Sequence, residues 1–210
     1  MLREHGNIKF PLWILGDSEP ENWNEVLNIP FDSRHPIRHN IITSVLDVIQ
    51  DKVFREKRLR VDSSQFYIRN AVRNANDKPL RNENNWGDVI NNEKSAFKYL
   101  IEKNKPIIIL CFGAFAFEFA RRSMQESPYN KYGHWGAKAL GYEFSERVKM
   151  FDIKSTNILP LLHRSIAGGN FIQSHNYFCN KDNANYFEYT GNSLGNLFLR
   201  YEDQLSIWIH

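Results

Sequence analysis

The sequence predicts an α/β fold, a three-layer αβα arrangement with a central, mainly parallel four-stranded sheet, and three observations carry that expectation. Four short apolar runs, residues 10–16, 66–72, 106–112 and 157–162, lack strict polar alternation, as expected of strands covered on both faces. Amphipathic helical stretches separate them. The third run passes over Gly113 straight into a helical stretch, and a strand, a glycine and a helix in succession is half of a right-handed crossover unit. At 210 residues, with 42% hydrophobic and 24% charged residues, the chain has enough material for such a core in a single domain spanning residues 1–210.

Residues 10–16 (Phe-Pro-Leu-Trp-Ile-Leu-Gly) read as the first buried strand, and an acidic loop containing Trp23 comes after it. From 37 to 58, apolar residues recur at Ile37, Ile41, Val45, Val48, Ile49 and Val53, which predicts an amphipathic helix whose basic last turn suits the helix dipole. Residues 66–72 are the second strand. They run into a stretch, 73–92, that is poor in apolar residues and holds seven asparagines and Trp86; a loop of that length in a compact domain is usually functional or disordered. Residues 94–104 predict a helix with Phe97, Leu100 and Ile101 inward, 106–112 the clearest strand, and 114–122 the helix after it. No period is visible in 129–148, which reads as loop with short strands. Residues 157–162 are the last strand, Gly168-Gly169 mark a loop, and 193–201 predict a closing helix.

Composition bounds the partners. The formal net charge is +3, but residues 51–81 hold nine Lys or Arg against four acids, a stripe that suits a polyanion such as nucleic acid. On charge alone, a solvated face accounts for it equally well. Cys111 and Cys179 are the only cysteines and have no CxxC spacing, which points to a reducing compartment and leaves no zinc or disulfide framework. No apolar run is long enough for a bilayer and the N-terminus is polar, so the expectation is a cytoplasmic protein with no signal or membrane segment; a monomer is expected as well.

The chemistry is concentrated where strands end. Gly16-Asp17-Ser18-Glu19-Pro20 closes the first strand, Asn70-Ala71-Val72 the second, Cys111-Phe112-Gly113 the third and His163-Arg164-Ser165 the fourth. Open parallel sheets bind ligands beyond the carboxyl ends of their strands, so a carboxylate, an amide and an imidazole delivered there converge on one pocket. That layout reads as an enzyme.

In this order, the four segments resemble the uracil-DNA glycosylase superfamily, over most of residues 10–210. The resemblance implies a DNA glycosylase that flips a pyrimidine out of DNA and hydrolyses its N-glycosidic bond, leaving an abasic site and needing no cofactor or metal. Asn70 is then the reader of the pyrimidine edge, and His163 the donor to the departing base. Counted from Gly16, Asp17 takes the acidic position of the family's Gly-Glu-Ala-Pro-Gly branch; counted back from Pro20, Glu19 takes the position of the acid or amide before proline. Both acids are expected in the pocket, with Gly16 and Ser18 beside the base and the water-activating role unassigned. No lysine stands in this first motif, so strand cleavage is not expected.

Departures from the family pattern narrow the reading. Arg164 replaces the proline that usually comes after the histidine, and two cysteines exclude the iron–sulfur branches. Glu21 stands where one branch has a tyrosine that blocks 5-substituted pyrimidines, so the substrate is either uracil or a bulky 5-modified base such as glucosylated hydroxymethylcytosine, in repair or in antiphage defence. For the bulky base, Trp86 among its asparagines is a candidate to stack on the sugar, against the plainer reading of a ring that anchors the loop. Arg69, Arg73, Arg81, Arg164 and Ser165 are candidate DNA contacts, and Ile166 a candidate wedge. Two other classes stay open: a catalytically silent DNA- or protein-binding member of the fold, and a hydrolase of free nucleosides or nucleotides.

Overall fold

Five strands form one sheet in the computed structural model, which describes residues 4–20, 27–36, 38–163 and 171–209. β1 (Glu4–His5) is a two-residue edge strand, antiparallel to its neighbour, that no apolar run announces. The other four are the expected ones: β2 (Leu12–Gly16), β3 (Phe66–Asn70), β4 (Ile108–Phe112) and β5 (Asn157–Leu161), all parallel, in the order β1-β3-β2-β4-β5. The α-helices among the described residues are α1 (Ser44–Lys57), which a π-helical turn at Arg38–Thr43 leads into, α2 (Asp88–Asn104), α3 (Ala114–Ser123), α4 (Ala137–Lys149), α5 (Phe171–Cys179), α6 (Tyr186–Arg200) and α7 (Glu202–Leu205).

Among the four parallel strands the chain reverses its travel across the sheet once, and that reversal decides where a ligand goes. From β2 it crosses through α1 to β3 on one side; from β3 it returns through α2, past β2, to β4 and on to β5. Right-handed crossovers in opposite directions put their helices on opposite faces. α1, packed on α6, therefore covers one face, and α2, packed on α3, the other. The central strand β2 is buried along its whole length, with Leu12, Trp13, Ile14 and Leu15 each at most 1% exposed. The loops that leave β2 and β4 diverge to opposite faces, and the crevice between them, at the carboxyl ends, is the binding position of such sheets.

The region from 129 to 148 corrects the sequence expectation. It contains a short 3₁₀ turn, Tyr132–His134, and then α4, whose buried stripe is only Leu140, Gly141 and Phe144. Gly141 breaks the apolar period for a packing reason: a Cβ there falls 1.9 Å from the carbonyl oxygen of Phe178 on α5. α6 also starts earlier than expected. Asn185 caps it by accepting from the N–H groups of Phe187 and Glu188, and Gly191 and Gly195 form a bare face against which Val48 and Lys52 of α1 lie. The glycines that obscure the helix in the sequence are what let the two helices close on each other.

The asparagine-rich stretch is held down by a buried ion network on α3. Glu118 is fully buried; it accepts from Arg121, Arg122, the indole N–H of Trp135 and the backbone N–H of Asn130. Arg122 goes on to donate to the carbonyl oxygens of Asn84 and Asn130 and to the side chain of Asn84, and its guanidinium lies 3.9 Å from the centre of the Trp86 ring. Glu118→Ala takes from two buried guanidinium groups the carboxylate they share, and breaking a buried ion pair commonly costs about 3–5 kcal/mol. Thermal unfolding is expected to show a fall of roughly 2–4 °C per kcal/mol for a chain of this size. A shift no larger than that of an exposed Glu83→Ala control would show that the network holds nothing.

Candidate functional site

The site is built from strand ends that the fold ties to one another. Beyond the β2–β3 ladder, Ala71 donates to the carbonyl of Gly16, Val72 to that of Asp17, and the Glu19 N–H to that of Arg73. These bonds carry the first motif alongside Asn70 for three more residues. Gly16 has no side chain for a steric reason: a Cβ there falls 2.6 Å from Asn70 Oδ1 and 2.7 Å from the Phe31 ring. On the other side of the crevice, Gly113 sits at φ 103°, ψ 167°, a region essentially confined to glycine. Its N–H donates to the Leu161 carbonyl, and a Cβ there falls 2.5 Å from the Cβ of His163. The Leu162 N–H donates to the hydroxyl of Tyr186, buried on α6, which fixes the end of β5 just before His163.

Because Gly113 opens α3 without a side chain, the helix lacks a cap of its own. Asp17 supplies one from the neighbouring loop, its Oδ1 accepting from the Ala116 N–H at 3.1 Å. Its other oxygen faces the ammonium of Lys78 at 3.9 Å. A bond between the loop after β2 and the helix after β4 thus spans the crevice itself.

Asp17, Ser18, Glu19, Asn70 and His163 line one pocket of about 300 Å³, together with residues that sequence reasoning did not single out, notably Phe31, Asp32, His35 and Lys78. Asn70 is 4% exposed, and among the described residues its side-chain amide makes no hydrogen bond, so donor and acceptor both stay available to the pocket. His163 is exposed, and its ring is likewise unbonded within the described residues. One oxygen of Glu19 is buried without a hydrogen-bond partner there, with Arg73 Nε 4.0 Å away. Such an unpaired acceptor is rare unless a ligand or water completes it.

The wall formed by residues 27–35 is organised by Asp32. Its carboxylate accepts from the Arg34 side chain and from the N–H groups of Arg34 and Asn28, bonds that hold it well below the usual carboxylate range despite its burial. Asp32 also accepts the His35 N–H through its carbonyl, and burial lowers the His35 pKa against the opposing pull of the Asp32 charge. Phe31, at φ 53°, turns its ring into the site, tilted against Phe112 with centroids 5.9 Å apart. No spacing in the sequence marks this wall. The single hint is an aromatic after Pro30, which by itself reads as core.

Two expected contacts, and the reading of the basic residues as one stripe, are corrected. Trp86 is 2% exposed, packed between Phe115 and Arg122, and does not line the pocket. Arg69 is 3% exposed, over the ring of Phe97 and 4.0 Å from Glu93, because β3 runs between β1 and β2 with α2 above it. The basic stripe is divided by topology: α1 runs back from the carboxyl end of the sheet, so Arg55, Lys57, Arg58 and Arg60 lie at the end opposite the pocket. Arg73 and Arg81 are exposed on the pocket side. Arg164, Ser165, Ile166 and Glu21 lie outside the described residues. Also among the described residues, no helix is long and apolar enough to cross a membrane.

No protein-family model matches this sequence, and no curated protein sequence matches it. The site's own geometry carries a prediction about its architecture. Asp17→Ala removes the acceptor that closes α3 and is expected to cost about 0.5–2 kcal/mol, the usual worth of an N-cap. Asp17→Asn keeps a side-chain oxygen for the Ala116 N–H and is expected to lose clearly less. Chemical denaturation of the two variants compares them directly; equal losses would show that the bond to Ala116 does not stabilise the fold.

Proposed function

We propose that the protein is a DNA glycosylase of the uracil-DNA glycosylase type, hydrolysing the N-glycosidic bond of a pyrimidine flipped out of DNA. The observation that supports it most is the meeting of an acid from the loop after β2, the amide that ends β3 and the imidazole after β5 in one pocket at the sheet's reversal point. Those are the three groups the reaction needs, and they come from segments far apart in the chain. A nucleoside hydrolase needs the same three, but the exposed Arg73 and Arg81 on the pocket side favour a polyanion.

In this reading the Phe31 ring offers the base a face to stack on, and the Asn70 amide pairs donor and acceptor with the pyrimidine edge. As the glycosidic bond lengthens, positive charge grows on the sugar and negative charge on the base. His163 donates to the base oxygen, and the carboxylates of Asp17 and Glu19 face the cationic sugar. Donors fixed in place before the reaction are usually the largest catalytic term. The two acids divide the work: Asp17 has one oxygen committed to Ala116, while Glu19 has an oxygen that, among the described residues, takes no hydrogen bond and is left to hold the attacking water. With Trp86 buried, the glucosylated base has lost the ring proposed to receive its sugar, and uracil is the first substrate to test.

The test incubates the protein with DNA containing uracil, glucosylated hydroxymethylcytosine or only ordinary bases, and with free deoxyuridine, and then reveals abasic sites with alkali. Alkali-labile sites are expected in at least one modified DNA and in no unmodified DNA. His163→Ala and Asn70→Ala are expected to lower the rate by about 10²–10³, as loss of a single fixed donor does, and Glu19→Gln to slow it with the fold intact. Cleavage of free deoxyuridine alone would make the protein a nucleoside hydrolase. A folded His163→Ala protein with normal turnover would remove the imidazole from the mechanism.

A further inference from the structure

The pocket contains an amine that the first motif does not supply. Lys78 arrives from the segment after β3, and among the described residues it is the single lysine that lines the pocket. Its place is set by local structure. A capping box joins Asn74 and Asp77, the Lys78 N–H donates to the Ala75 carbonyl, and the proline after it favours the extended backbone seen at Lys78, φ −69° and ψ 143°. From there the side chain reaches inward, 28% exposed, until Nζ stands 3.9 Å from Asp17 Oδ2.

An ammonium in that position does not help the base leave, because it sits beside a sugar on which positive charge is growing. The same position is suited to what remains afterwards. Loss of the base leaves a hemiacetal carbon that opens to an aldehyde, and a lysine amine beside an aldehyde forms a Schiff base. We propose that Lys78 gives the protein a second activity, cleavage of the DNA strand at abasic sites through a Schiff base with the sugar's C1′. The inference rests on the glycosylase reading, since it takes the carbon facing Asp17 to be C1′.

The steps balance without any oxidant or reductant. Lys78 gives up a proton, for which Asp17 Oδ2 is the adjacent acceptor on the way to solvent. The amine adds to C1′, and loss of water forms the C=N bond. One of the two carboxylates then takes a proton from C2′; the C2′–H and C3′–O bonds break, C2′=C3′ forms, and the 3′-phosphate leaves. Water hydrolyses the imine and frees the lysine. The structure thereby reopens the question of strand cleavage, which an inspection of residues 16–20 alone answers in the negative.

The test supplies DNA with a ready-made abasic site, so that strand cleavage is measured apart from base release. Borohydride reduces a Schiff base to a stable amine and leaves protein joined to DNA. The expected result is a cross-linked band, a cut strand in the absence of alkali, and peptide mapping that places the DNA on Lys78. Lys78→Met, with a melting temperature confirming its fold, is expected to lose both the band and the cut strand. A wild-type protein that releases base but forms no cross-link overturns the proposal and leaves the glycosylase reading standing. A cross-link of equal yield in Lys78→Met, or one mapped to another amine, overturns it as well. If no DNA releases base but Lys78 cross-links, the amine's role holds and the glycosylase reading fails.

Discussion

One hydrogen bond organises this molecule: Asp17 Oδ1 accepting the Ala116 N–H. The sheet reverses between β2 and β4, so the loops that leave them diverge, and across the crevice the Phe31–Phe112 ring contact supplies packing but caps nothing. Gly113 cannot carry a capping side chain, since its backbone is confined to glycine and the Cβ of His163 occupies the adjoining space. The cap has to come from elsewhere, and the loop after β2 provides it. One carboxylate therefore closes a helix, bridges the reversal point and lines the pocket. The remaining groups are placed around it: Lys78 on its second oxygen, Glu19 two residues on, and His163 behind Gly113.

The strands and the pocket's polar groups were legible in the sequence for a physical reason. Parallel strands buried on both faces must be apolar throughout, so Leu12 to Leu15 and Ile108 to Phe112 declare themselves, and the residues just past each strand fall at the ligand-binding end. Helices packed through glycine were hidden. Gly141 under the Phe178 carbonyl, and Gly191 and Gly195 against α1, interrupt apolar periods at the points where backbones approach most closely. The pocket's second wall was hidden too. Phe31, Asp32 and His35 belong to an irregular segment, whose shape comes from the bonds that Asp32 accepts rather than from any repeating pattern.

Charge was the least transferable signal. Nine cations over residues 51–81 read as one stripe along the chain, but a helix that runs the depth of the sheet separates them: Arg55 to Arg60 at one end, Arg73 to Arg81 at the other, and Arg69 inside over Phe97. Trp86 shows the same difference between sequence and space. An aromatic among asparagines resembles a sugar-binding surface, whereas here Arg122 covers the ring and takes up Asn84, so that the loop is fixed to Glu118 on α3. Only three-dimensional proximity separates the cations available to a polyanion from those that hold the structure together.

If the pocket breaks the bond between a base and its sugar, the small-molecule product reports it most directly. After incubation with modified DNA, the low-molecular-weight fraction is analysed by mass spectrometry. An intact free base is expected, absent when His163 is replaced by alanine, with no nucleoside or nucleotide released. Release of nucleotides, or a free base in the same yield from the His163→Ala protein, would contradict the glycosylase mechanism.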